Sequence, residues 1–216
     1  MPRPICPTCL RAQSACICGW TTPTQHSVQV LILQHPMETD NAKGSARLLH
    51  LSLANSCMVV GEEFVEDDLK NLLFASFTAD SMPARHTVLL YPMSPPDQTP
   101  NAPHLPAAQA FEHYTALPAA QLRLVVLDGT WRKSRKMLHL NPLLQQLPRL
   151  SLQGTAPSRY TIRKAHAADQ LSTLEATCAA LAQLEGNAAS FTPLLQAFDG
   201  FVAQQAAMRI AKTCIV

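Results

Sequence analysis

Leu122-Arg123-Leu124-Val125-Val126-Leu127-Asp128-Gly129-Thr130-Trp131-Arg132-Lys133-Ser134-Arg135-Lys136-Met137 decides how this chain is read. Its first half, Leu122 to Leu127, is an almost unbroken apolar run, the pattern of a strand covered on both faces of a parallel sheet. The run stops at Asp128-Gly129, a turn dipeptide. A helical pattern follows, with Thr130 placed to cap it. An acid at the carboxyl end of a central strand stands where open α/β sheets bind their ligands. Trp131 sets a flat apolar face beside that acid, and Arg132, Lys133, Arg135 and Lys136 surround both with positive charge. Each residue alone has an ordinary explanation, as a turn, a core indole or a solvated helix face. Together they predict a site for a polyanion and an aromatic ring.

Charge along the chain supports this reading. The net charge is only +2, but from Gly129 to Ala168 there is no Asp or Glu. The same segment holds Arg132, Lys133, Arg135, Lys136, Arg149, Arg159, Arg163 and Lys164. Acids cluster elsewhere, at Glu62, Glu63, Glu66, Asp67 and Asp68. Such segregation predicts a surface that meets an anion, most often nucleic acid. With 216 residues, 47% hydrophobic and 15% charged, the chain can bury the core of one ordinary domain with a small appendage. No stretch approaches the roughly 20 apolar residues of a membrane span, and the N-terminal residues do not read as a signal peptide. The expectation is a cytoplasmic protein with no membrane partner. Its oligomeric state stays open, leaning to a monomer.

Four of the seven cysteines, Cys6, Cys9, Cys16 and Cys18, fall in residues 1–24 with the spacing C-x2-C-x6-C-x-C. Thiolates so spaced can converge on one tetrahedral ion, and zinc suits four sulfurs in a structural role. An iron–sulfur cluster would use the same ligands, and a disulfide pair is the weaker rival in a cytosolic chain. Cys57, Cys178 and Cys214 sit in apolar surroundings and read as buried thiols.

The remainder, residues 25–216, alternates strands with helices. Val28 to Leu33 reads as a strand ending in Gln34-His35-Pro36-Met37-Glu38, with a helix through about Leu53. Cys57 to Val60 is a second strand, followed by a helix carrying Leu69, Leu72 and Leu73. Thr87 to Tyr91 is a third, before a proline-rich loop and a helix around Ala107 to Thr115. After the central strand and its basic helix, Arg149 to Leu152 reads as a further strand. Ser172 and Glu175 have capping-box spacing at the start of an apolar helix through Leu184. The last helices, about Thr192 to Met208, read as packing. The pattern is one α/β domain with a mostly parallel sheet and helices on both faces.

The cysteine knuckle, His35-Pro36 with Glu38, Asp128-Gly129-Thr130-Trp131, Arg159-Tyr160-Thr161-Ile162-Arg163 and Leu171-Ser172-Thr173-Leu174-Glu175-Ala176 together resemble the DTW-domain family, in family order from Cys6 to about Leu184. One departure is Lys164-Ala165-His166, where relatives commonly carry a proline. The resemblance implies a SPOUT-related fold with a C-terminal knot. It also implies transfer of the 3-amino-3-carboxypropyl group of S-adenosylmethionine to N3 of a uridine in tRNA, leaving methylthioadenosine. On this resemblance Asp128 is the candidate base for the uridine N3 proton, or else the group that orients the uracil or the donor's ammonium, and Trp131 packs on the donor. Leu152, Gly154, Thr155, Leu171 and Thr173 form the adenosine pocket, with Leu127, Thr130 and Glu175 among the donor contacts. Ser172 or Arg163 holds the donor's amino-acid end. Arg132, Arg135, Lys136 and Arg159, with His35, meet the RNA. The rival readings are a ribosomal-RNA aminocarboxypropyltransferase, a SPOUT-type RNA methyltransferase, and a zinc-containing RNA-binding module without catalysis.

Overall fold

The computed structural model describes residues 4–77, 86–92, 111–152, 154, 158 and 171–213. Its sheet has five strands, β1 (Gln29–Gln34), β2 (Ser56–Val60), β3 (His86–Leu90), β4 (Leu122–Asp128) and β5 (Arg149–Leu150). They lie in the order β2-β1-β4-β3-β5, and every pairing is parallel. The apolar run of Leu122 to Leu127 is therefore central, and β4 is buried along its whole length. Asp128 closes this strand, in register with Gln34 of β1.

The helices divide between the two faces. Alternate strand residues Val30, Ile32, Val88, Leu122, Leu124, Val126 and Leu150 form one core. Against it lie α1 (Ala46–Ser52), α3 (Phe111–Thr115), α6 (Thr173–Glu185) and α7 (Thr192–Thr213). Leu31, Leu33, Leu89, Tyr91, Val125 and Leu127 form the other, covered by α2 (Glu66–Phe74), α4 (Trp131–Leu140) and α5 (Pro142–Gln146). Period-two alternation places successive strand residues on opposite faces, so a strand packed on both must be apolar throughout. Fully burying one such leucine contributes about 1.5–3 kcal/mol.

The N-terminal knuckle is packed into this body. Cys6, Cys9 and Ile17 belong to the first core, and Trp20 lies against α7. A Cβ at Gly200 would overlap the Trp20 ring, so the helix needs glycine at that position for the indole to dock. The indole Nε1–H donates to Gln204 Oε1 at 2.7 Å, and Gln204 Nε2 donates to the Cys16 carbonyl at 3.2 Å. On the other side Arg11 donates to the carbonyls of Ala42 (2.5 Å) and Gly44 (2.7 Å), while its guanidinium lies over Phe201.

Several expectations shift in detail. The edge strand ends at Leu150, two residues short of Leu152. The last helical segment is one helix from Thr192 to Thr213, and α5 is a short helix that the sequence reading lacked. The Ser172–Glu175 capping box is present in full. The proline-rich loop, Cys214, and the first residues of the helix expected from Ala107 lie outside the described residues.

Candidate functional site

In an all-parallel sheet the carboxyl ends of all strands share one edge, and Asp128, Thr130, Trp131 and Thr173 stand at that edge. Asp128 ends β4 at 5% exposure. Its Oδ2 accepts from Gln34 Nε2 at 2.9 Å, and its Oδ1 accepts from the Thr173 hydroxyl at 2.6 Å. One donor ends β1, and the other opens α6. The carboxylate thus ties three elements together and points to the α6 face. Gly129 allows the turn to pass closely: a Cβ there would lie 3.1 Å from Lys133 Cβ and 3.6 Å from His35 Cβ. Thr130 caps α4, its hydroxyl accepting from Lys133 N at 3.4 Å.

Trp131, the first residue of α4 and three positions after the acid, is 47% exposed and leaves an open indole face. It meets Tyr91 edge-on, ring centroids 5.7 Å apart. Burial pushes the Tyr91 phenol above its ordinary value, while a hydrogen bond with Ser134 acts the other way. Leu127 is buried under this aromatic pair's side of the sheet. Leu152 is half-buried against the opposite core, which also contains Leu174. Gly154 has φ 56°, in the left-handed region that favours glycine. Leu171 is half-buried just before the α6 cap. Thr155, Arg159 and Arg163 lie outside the described residues.

His35 is buried, and both ring nitrogens are engaged. Nδ1 accepts from Met37 N at 3.1 Å, which leaves the proton on Nε2 to donate to Glu62 Oε1 at 2.7 Å. Glu62 also accepts from Lys136 Nζ at 2.8 Å, and this ammonium first, then His35, holds its carboxyl below the usual value. Lys133 Nζ donates to the buried Glu38 at 2.8 Å, and Asn41 supports the same carboxylate at 2.7 Å. The basic helix is thus partly neutralised by acids from other elements. Arg132 and Arg135 are exposed on it. Arg149, counted in the sequence among the surface cations, is instead buried on β5.

Ser172 and Glu175 are both committed to the cap of α6. Glu175 N donates to the Ser172 hydroxyl (3.2 Å), and Ser172 N to Glu175 Oε2 (2.8 Å), which also accepts from Ser158 at 2.9 Å. Gln34, Glu62 and Tyr91 were not singled out from the sequence as site residues. Their one signal was position, each standing at or within two residues of the end of a strand.

The four knuckle cysteines offer sulfurs that all lie within 4.8 Å of one another. The Cys6–Cys18 and Cys9–Cys16 pairs are 3.6 and 3.7 Å apart. Four thiolates at about 2.3 Å from one tetrahedral ion stand roughly 3.8 Å apart, so the group can hold a metal and suits zinc. All six described cysteines are free. Backbone N–H groups of Cys9 and Thr8 lower the Cys6 thiol to about 6, while burial raises Cys18 to about 12.

This is an α/β protein with its polar constellation at the carboxyl edge of a parallel sheet and a cysteine knuckle docked on its last helix. The chain belongs to the DTW domain family, whose profile matches residues 3–206. It is 29% identical over 189 residues to the mouse protein named tRNA-uridine aminocarboxypropyltransferase 2, covering 86% of this chain and 58% of the relative. A Drosophila melanogaster protein of the same name is 31% identical over 188 residues, 83% of this chain and 66% of the relative. An Arabidopsis thaliana protein, tRNA-uridine aminocarboxypropyltransferase A, is 27% identical over 140 residues, covering 63% and 50%. The chain therefore spans between half and two thirds of these relatives' length. No solved structure matches it. Among the described residues no helix is long and apolar enough to cross a membrane.

Proposed function

We propose that the chain is a tRNA-modifying enzyme that transfers the 3-amino-3-carboxypropyl group of S-adenosylmethionine to N3 of a uridine and releases methylthioadenosine. One observation carries the reading. Asp128 is a buried carboxylate fixed from two sides at the end of the central strand. It stands three residues before a half-exposed indole, in a chain whose relatives bear the name of that transfer. The cytoplasm is the matching location. Residues 1–24 serve as a zinc-tied knuckle, and residues 25–216 as the catalytic domain.

The residues present fit such a donor. Trp131 offers a π-face to adenine or to a sulfonium, and Leu127, Thr130, Leu152 and Gly154 flank the same sheet edge. When bound, the donor supplies a carbon made electrophilic by its sulfonium, so that the new N–C bond forms as the C–S pair goes to sulfur. Asp128 takes the proton that uridine N3 must lose. Gln34 and Thr173 fix its carboxylate, limiting the reorientation needed during transfer. Arg132 and Arg135 on α4, with Arg159, meet RNA phosphates, while Lys136 contributes less because Glu62 already pairs it. The SPOUT relation and knot belong to the same reading.

The test is incubation with S-adenosylmethionine and unmodified tRNA, then nucleoside mass spectrometry. A uridine carrying an aminocarboxypropyl group, with methylthioadenosine released, is the expected result. Asp128→Ala should lower the rate about 10²–10⁴-fold and nearly keep RNA affinity. A methylated nucleoside would transfer the case to methyl transfer. Modification of ribosomal RNA alone would change the substrate, and tight binding without product would leave an RNA-binding module.

A further inference from the structure

Arg149 is a buried charged side chain that the proposed chemistry has not yet used. It lies on β5 at 4% exposure, in register with Leu89 of β3 and so on the Tyr91 side of the sheet. Its guanidinium stands 5.0 Å from the centre of the Tyr91 ring, and the far neighbour of that ring is Trp131. The three form a row along the carboxyl edge of the sheet, from β5 across the end of β3 to the start of α4. Burial pushes the guanidinium below its ordinary value, with the Tyr91 phenol opposing.

Its hydrogen bonding is incomplete in an informative way. Nη1 donates to the Pro92 carbonyl at 3.5 Å. Nε and Nη2 are buried and have no acceptor among the described residues. Those two nitrogens are not an arbitrary pair. Their N–H bonds lie side by side on one edge of the planar guanidinium, spaced to meet both oxygens of a carboxylate. A charged donor pair withdrawn from water without an acceptor is costly, and a planar oxyanion removes that cost. An RNA phosphate stays in water at the surface, whereas this fork is enclosed. Of the two substrates in the reading above, only the donor carries a carboxylate. Two strand spacings, about 10 Å, separate β4 from β5, a gap that an arginine side chain and a four-carbon amino acid can bridge together. Of the two earlier candidates for this task, Ser172 is occupied by the α6 cap and Arg163 lies outside the described residues.

Resting on the proposed transfer, we infer that Arg149 seats the donor's carboxylate through Nε–H and Nη2–H, with Tyr91 stacked beneath as a rigid support. It would orient the chain so that the carbon next to sulfur, rather than the methyl, faces the uridine. The residue is a binding and specificity determinant. The proton still goes to Asp128.

Calorimetry with two probes tests this, S-adenosylmethionine and its decarboxylated form, which lacks the carboxylate alone. The wild-type chain should bind the first more tightly. Arg149→Met should weaken that binding by about 30-fold or more, down to the level of the decarboxylated probe, whose own affinity stays put. Arg149→Lys should recover part of the loss. Equal affinity of wild type for the two probes would overturn the inference and leave the transfer reading intact. Equal losses for both probes on substitution would make Arg149 merely structural. Unchanged donor binding with weaker, less salt-dependent tRNA binding would make the fork a phosphate seat. Wild type that binds neither probe would remove the donor itself, a failure of the wider reading. Urea midpoints of each variant confirm that the chain is folded when titrated.

Discussion

Arg123 and Arg149 are the same residue at opposite ends of one sheet. Both are buried on strands, and each guanidinium lies over an aromatic ring, Phe77 at 4.0 Å and Tyr91 at 5.0 Å. At the amino end, Arg123 is fully partnered. Its Nε and Nη2 donate to Gln29 Oε1 at 3.0 and 2.5 Å, Nη1 to the Leu72 carbonyl, and Nη2 also to the Ala75 carbonyl, both at 2.6 Å. At the carboxyl end, the matching Nε/Nη2 edge of Arg149 has no acceptor among the described residues. The difference separates a cation that closes a structure from one that awaits a ligand. Every nitrogen of the amino-end guanidinium has an acceptor, while two nitrogens of the carboxyl-end one, at the edge where α/β sheets present their ligands, have none among the described residues.

The largest expected effect follows from that contrast. Arg123→Met should cost about 3–5 kcal/mol in urea unfolding, because it removes the four hydrogen bonds that the buried guanidinium donates to Gln29 Oε1 and to the Leu72 and Ala75 carbonyls. Arg149→Met should cost less than about 1 kcal/mol or stabilise, since an apolar side chain replaces an incompletely satisfied charge. Equal losses would break the comparison.

A smaller change sharpens it. Gln29→Leu removes the acceptor of Arg123 Nε and one of the two acceptors of Nη2, leaving Nη2 on the Ala75 carbonyl, and so moves the amino end part of the way to the condition of Arg149. The expected cost is about 2 kcal/mol, the range for a hydrogen bond to a charged group. If Gln29→Leu is neutral, an unsatisfied fork carries little penalty here, and the argument from Arg149 loses its force.

The contrast also marks what the residues alone disclosed. The central strand was legible because burial on both faces demands an apolar run, and its acid stood out against that run. The capping box, the cysteine knuckle and the strand-helix alternation were legible for the same reason, each being set by neighbours in sequence. Strand order was not. Glu62 was read as part of a distant acidic cluster, yet it follows β2, whose carboxyl end lies beside that of β1, so it meets His35 and Lys136. Arg149 was counted as one of a run of surface cations. Pairing of Leu89 with Arg149 across β3 and β5, sixty residues apart, turns it inward instead. A positive charge in a basic segment looks solvated until tertiary contacts place it, and only then does an empty fork become visible.

The smallest expected effect returns to the amino edge, at His26, just before β1. Its ring bonds through Nδ1 to the Val28 carbonyl at 2.7 Å, and Nε2 accepts from Asn55 N at 3.1 Å. Both bonds together require the neutral ring, with its proton on Nδ1. Burial is the largest influence and lowers the imidazole below its ordinary 6.5, against the Val28 carbonyl and Glu185, which raise it. His50 is lowered too, by burial and then by Arg47. For a group lowered on folding, the unfolded chain takes up its proton first. Stability is therefore fully present above pH 6.5 and drains as the pH falls from there toward the lowered native value. Urea unfolding across this window should show a declining free energy in the wild type and a flatter curve in His26→Asn, which cannot titrate. A curve of unchanged slope would show that protonating the ring costs the folded chain no more than it costs the unfolded one. The amino edge would then be less firmly closed than its hydrogen bonds imply.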